Sequence, residues 1–160
     1  ATTPETTVVR GARSTLAIDT RRESEERVDS LPVSPQQLFG VLPQVLASLN
    51  MRTATLDQGA LSIASAPTQF RRVLDGERLS HFISCGVTAM GNNADLYSVT
   101  LRVHTWVERA GEAASVLHTI VRATARPNDN GSGSSVNCAS NGKLEGRVRA
   151  LAVLKVMEAR

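Results

Sequence analysis

The chain reads as an α+β domain: an antiparallel β-sheet with one helix in its N-terminal half and a long C-terminal helix packed on one of its faces. Three observations predict it. Apolar residues recur at helical spacing over residues 34–50 and again over 142–159, whereas between them, over residues 97–107, apolar and polar side chains alternate. A helix with an apolar stripe needs a sheet to cover, and the order strand, helix, several strands, helix is that of an α+β layer architecture.

In chain order, residues 1–7 are Thr- and Pro-rich and read as a disordered segment or tether, with a single α+β domain following over residues 8–160. Val8 to Ile18 is weakly strand-like, with Leu16 and Ile18 on one side. The mixed-charge stretch Asp19 to Asp29 reads as a loop or an exposed edge. The first clear element is Ser34 to Asn50, where Ser34 suits the N-cap and Pro35 the first helical position. Leu38, Leu42, Val45, Leu46 and Leu49 then share a face. Pro43 removes a backbone donor and crowds the preceding turn, so a kink or an early end is expected there. Met51–Thr55 and Ala60–Ala64 read as strands joined through Asp57–Gly59. A second pair, Thr68–Leu74 and Leu79–Cys85, turns at Asp75–Gly76. A further turn falls at Gly91–Asn93. Tyr97, Val99, Leu101, Val103 and Val107 alternate with Ser98, Thr100, Arg102, His104 and Trp106, the pattern of a half-buried antiparallel strand. Val116–Ala125 is its expected hairpin partner, across Arg109–Glu112. Pro127–Ser135 reads as an exposed loop. The last helix runs from about Gly142 to Ala159, with Leu144, Val148, Leu151, Leu154 and Met157 as its apolar stripe.

Composition removes several function classes. With 41% apolar and 21% charged residues in 160, the chain is of ordinary globular make-up and of single-domain size. A net charge of +3, with acidic and basic residues interspersed and only 3% aromatics, lacks the basic surface and stacking rings of a nucleic-acid binder. No apolar run approaches the roughly 20 residues of a spanning helix. The opening Ala1, without Met, reads as a mature N-terminus or equally as a trimmed one, and no Cys stands there to carry a lipid.

Two cysteines without Cys-x-x-Cys spacing make either one disulfide or two buried thiols. Cys85 closes a predicted strand and Cys138 follows a loose loop, so a Cys85–Cys138 bridge would staple irregular chain to the sheet. That reading implies an oxidising compartment, secreted or periplasmic. In the chain-entropy model such a bridge contributes about 4 kcal/mol.

No phosphate loop, dinucleotide fingerprint, nucleophile elbow or His-Glu-x-x-His is present, and no carboxylate stands in an apolar stretch that would raise its pKa. No catalytic residue, metal set or cofactor is therefore assigned. If the hairpin centres near Gly111, His104 lies across from His118, a pair able to hold a metal or titrate between pH 5 and 8, or present by coincidence. Trp106 shares that outer face. With His104, Val116, His118 and Ile120 it forms a semi-apolar patch, read as a partner surface or as a surface that the N-terminal segment or first helix covers. His81 has no reason to join them. Asn130-Gly-Ser132 matches a glycosylation acceptor.

The stretch Val33-Ser-Pro-Gln-Gln-Leu-Phe-Gly-Val-Leu-Pro-Gln-Val-Leu-Ala-Ser-Leu-Asn-Met-Arg52, followed by Asp57-Gln-Gly-Ala-Leu-Ser-Ile63, resembles the opening of helix-grip domains. It is similar both to the outer-membrane assembly lipoprotein family typified by BamC and to the START-like lipid-binding superfamily. The first resemblance implies a non-catalytic, outer-envelope-associated protein that docks on other envelope proteins or subunits of an assembly. The second implies a carrier of an apolar ligand or lipid between the sheet and the C-terminal helix. The scarcity of aromatics and a helix face able to pack solid favour the first.

Overall fold

The computed structural model describes residues 26–127 and 134–159. The expected tether at 1–7, the strand-like stretch 8–18 and the Asn130 glycosylation match lie outside the described residues. The elements are β1 (Arg27–Leu31), α1 (Pro35–Ser48), β2 (Thr53–Asp57), β3 (Ser62–Ser65), β4 (Thr68–Arg71), β5 (Val73–Leu74), β6 (Glu77–Arg78), a 3₁₀ turn (Leu79–His81), β7 (Ile83–Ser84), β8 (Val87–Thr88), β9 (Gly91–Asn92), α2 (Asn93–Leu96), β10 (Ser98–Gly111), β11 (Ala114–Arg126), β12 (Val136–Ser140) and α3 (Lys143–Glu158). The architecture is α+β, a large antiparallel sheet with one long helix in the N-terminal half and one at the C-terminus. No helix among the described residues is long and apolar enough to cross a membrane.

The described residues fall into two compact units, and β10 and β11 each contribute residues to both. One unit comprises residues 26–68, 102–121 and 142–159. In it β2 pairs with β3, β3 with β10, and β1 with β11, all antiparallel. Ser34 caps α1 as expected, its hydroxyl accepting from the Gln37 amide at 3.2 Å, and Pro35 occupies the first turn. The helix continues through Pro43 to Ser48 and does not end early. Leu38, Leu42, Val45 and Leu46, with Leu49 just past the helix, are completely buried. So are Ile63, Val103 and Leu117 of the sheet and Leu144, Val148 and Ala152 of α3. These side chains form the core between the helices and the sheet.

The C-terminal helix departs from expectation in which face it buries. Leu144 and Val148 are in the core, but the inward stripe continues through Ala152 and Val156, leaving Leu154 49% and Met157 63% exposed and Leu151 half-buried. The reason is geometric. Steps of four residues hold one face of a helix, whereas Met157 follows Val148 by about two and a half turns and so points the opposite way. Gly142 precedes the helix at φ 90°, a left-handed conformation that a Cβ disfavours. Gly146 in the first turn lies under Arg27, whose guanidinium stands where a Cβ would come within 3.1 Å, and Arg27 Nη1 donates to the Gly142 carbonyl at 3.3 Å.

The second unit takes the described parts of residues 69–101 and 122–141. Here β11 pairs with β12 and β12 with β7, and Cys85 and Cys138 form the expected disulfide, with sulfurs 2.05 Å apart. Cys138 stands in β12. The strand expected over Leu79–Cys85 is interrupted. Two residues of β6 pair with β5 across Asp75–Gly76, and then Phe82 N bonds Leu79 O while Asp95 Oδ1 captures Ser80 N at 2.9 Å, which closes a 3₁₀ turn before β7. A carboxylate from fifteen residues further along the chain takes that amide in place of a strand partner. Asn93, at the start of α2, donates to the Cys85 carbonyl at 3.2 Å.

Candidate functional site

The alternation of β10 and β11 sorts their side chains between two faces. Val103, Thr105 and Val107 with Leu117 and Thr119 are buried, and α1 and α3 send their own buried side chains into that core. The other face carries His104, Trp106 and Glu108 from β10 and Val116, His118 and Ile120 from β11. Of these, His104 and Glu108 are exposed and the rest half-buried.

The ring order on this face differs from expectation. β10 ends at Gly111 and β11 begins at Ala114, so the hairpin turns later than a centre at Gly111 would place it. Buried Thr105 correspondingly stands opposite Thr119, their hydroxyls 3.4 Å apart, and donates to the His118 carbonyl at 2.8 Å. Trp106, not His104, therefore meets His118. The two rings stack in parallel with centroids 4.9 Å apart, and the His104 ring lies 4.8 Å from Trp106, tilted by 37°. His104 Nε2 is 2.9 Å from Ser62 Oγ of β3, whose partner across the ladder is Trp106.

His118 is clamped at both ring nitrogens: Nδ1 lies 2.7 Å from Glu26 Oε2 and Nε2 lies 2.8 Å from Glu108 Oε1. Two ionised carboxylates offer only acceptors, so the ring satisfies both only as the doubly protonated imidazolium. Burial pulls its pKa down, but the hydrogen bonds and charges of Glu108 and Glu26 outweigh that and hold it above the ordinary histidine value. The cation then lies over the indole face, a cation–π arrangement. The roles of Glu26 and Glu108 as partners of His118 were not part of the sequence reading. Glu108 continues the outward alternation of His104 and Trp106, so its presence on the face was legible; Glu26 arrives only because β1 pairs with β11, setting Val28 across from His118 and Ser30 across from Val116.

These distances limit the chemistry. A histidine with both nitrogens tied to carboxylates has no lone pair for a metal, and no cluster of metal-ligating residues occurs among the described residues. Ser62 and His104 stand at the separation of a nucleophile and its base. They sit, however, on an open sheet face, and β3 is paired on both sides, so its amides serve the ladder instead of an oxyanion. His81 is elsewhere, in the other unit, 3.3 Å from Glu77 and edge-on to Phe82. A groove of about 430 Å³ lies at the hairpin tip, lined by Pro35, Gln36, Arg109, Gly111 and Glu112. With its amide oxygen turned inward, Gln36 accepts from Arg109 there at 2.8 and 3.0 Å.

No protein-family model matches the chain, and no curated protein matches it significantly. Among solved structures, a DUF4468 family protein from Bacteroides ovatus aligns at 12% identity over 71% of this chain and 61% of its own, with a TM-score of 0.37. A TBP-like protein from Parabacteroides distasonis aligns at 6% identity over 72% of this chain and 66% of its own, with a TM-score of 0.38. The matched region is thus less than two thirds of either neighbour.

Proposed function

We propose that this protein is a non-catalytic module of an oxidising compartment, secreted or periplasmic and associated with the outer envelope, that binds other envelope proteins or subunits of an assembly through the Trp106 face. The observation that carries the reading is the half-buried indole in ring contact with both His104 and His118, on the face of β10 and β11 opposite the buried one. A rigid, half-buried aromatic ridge gives contact area at little entropic cost, and Val116 and Ile120 extend it. The exposed carboxylates at its rim, Glu26 and Glu108, suit a partner that brings basic groups. The Cys85–Cys138 bridge supports the compartment. The resemblance of Val33–Arg52 and Asp57–Ile63 to assembly lipoproteins agrees with it.

The complete burial of Leu144, Val148 and Ala152 on the inward side of α3 argues against the alternative, an apolar ligand carried between sheet and helix. The test is a photo-crosslinking amino acid at Ile120 in protein expressed in its own host, repeated with Trp106→Ala. A defined polypeptide captured only when Trp106 is present is the expected result. Native mass spectra that instead show a bound lipid, or capture unaffected by Trp106→Ala, would overturn the reading.

A further inference from the structure

On the Trp106 face the side chain of His118 is 13% exposed, while the carboxylates on either side of it stand further out, Glu26 38% and Glu108 63% exposed. Both contacts are short, 2.7 Å at Nδ1 and 2.8 Å at Nε2, and together they use every hydrogen-bonding site of the imidazolium. Without one of its protons the ring no longer fits this set. A neutral imidazole keeps a single N–H, and its other nitrogen turns a lone pair on a carboxylate that has only lone pairs to offer. One carboxylate must then leave. Glu108 is the easier to release, because most of its side chain already meets water, whereas Glu26 makes the shorter bond from the more sheltered position.

Other charges on the neighbouring described elements are turned elsewhere. On β1, Arg27 and Asp29 pair with each other at 3.1 Å, Arg149 of α3 stands 3.8 Å from Asp29, and the strand partners of the two, Thr119 and Leu117, belong to the buried face. On β10, Arg109 turns to Gln36, and Arg102 and His104 follow Trp106 along the outward row. Ser62, the strand partner of Trp106 on β3, is uncharged, and β11 adds no other charged residue between Ala114 and Val121. The trio of Glu26, His118 and Glu108 therefore carries one net negative charge with the ring protonated and two without it.

We propose that His118 is a proton-operated gate on the Trp106 face: the charged ring keeps both carboxylates bound to itself, and when Nε2 gives its proton to solvent Glu108 swings free to take a cationic group. That this cation belongs to a protein partner rests on reading the face as a docking surface; the gate itself does not. The proton is lost above the ordinary histidine range, because burial, which favours the neutral ring, is outweighed by Glu108 and Glu26. In the full chain carrying isotopically labelled histidine, NMR should find both ring nitrogens of His118 protonated below that step and Nδ1 alone protonated above it. In His104→Gln, where His118 is the one histidine left against Trp106, the fluorescence of this single tryptophan should brighten over the same step, since a charged imidazole quenches an indole stacked on it. Tetra-arginine amide, a cation without an aromatic ring, should bind about fivefold more tightly above the step than below it. Glu108→Gln should bind it above the step no more tightly than the native chain does below. A ring that titrates without a change at Trp106, a neutral ring protonated at Nε2, or peptide binding equal on both sides of the step would each overturn the gate. With all three as expected, failure of the Trp106-dependent capture would count against the docking reading alone.

Discussion

At the scale of single residues, His118 is where the structure makes a sharp statement. Its folded pKa lies above the ordinary histidine value because Glu108 and Glu26 outweigh burial. A raised folded pKa means that protonation stabilises the fold. The stabilisation is fully present below the ordinary histidine value and is lost as pH rises through the folded pKa. Melting temperatures across that window should therefore fall with pH for the native chain and fall less for His118→Gln; parallel curves would show that the clamp adds nothing. The buried hydroxyls make a second case. Ser115 is 1% exposed and donates to the Val33 carbonyl, tying the segment before α1 to β11. Ser115→Ala leaves a buried acceptor unpaired and should cost about 1–3 kcal/mol in urea unfolding. Neither serine nor histidine advertised these roles by spacing, because both partners come from residues that are distant in the chain.

Elements repeat the lesson in a different form. The α1 segment was legible almost side chain by side chain: cap, Pro35 and the five buried apolar residues all fall where helical spacing puts them, because the segment's polar and apolar residues separate cleanly. In α3 they do not. Arginines, alanines and large apolar residues are mixed around the helix, so two overlapping stripes fit the same sequence, and the core took the one with Ala152 and Val156. The consequence is a difference between two leucines of one helix. Leu144→Ala, at a fully buried position, should cost about 2–5 kcal/mol. Leu154→Ala, at an exposed position, should stay within about 0.5 kcal/mol. Equal costs would return the helix to the orientation that its apolar spacing first suggested. Substituting Gly142 by Ala should destabilise the chain through its φ of 90° alone, by about 1 kcal/mol or somewhat more, read by the same unfolding curves.

For the whole molecule, the disulfide is the long-range constraint. It joins positions 53 apart in sequence, both within the unit that holds β7 and β12. Reduction should lower stability by about 2–4 kcal/mol, and hydrogen exchange should quicken first around residues 82–94 and 134–141 while α1 and α3 stay protected. Uniform loss of protection would mean that the bridge stabilises the chain as one cooperative body. The sequence by itself determined the fold class, the capped first helix, the long alternating strand and its hairpin partner, and it narrowed the two cysteines to one bridge or two buried thiols. Each of these is written in local periodicity or in a count, which the chain carries before it folds. Only the tertiary structure decided which face of α3 is buried, that Asp95 turns the approach to β7 into a 3₁₀ turn, and that Trp106 rather than His104 meets His118 between Glu26 and Glu108. Those outcomes depend on strand register and on which surfaces compete for the core, and a shift of one or two residues in register exchanges one set of neighbours for another without changing the pattern of the sequence.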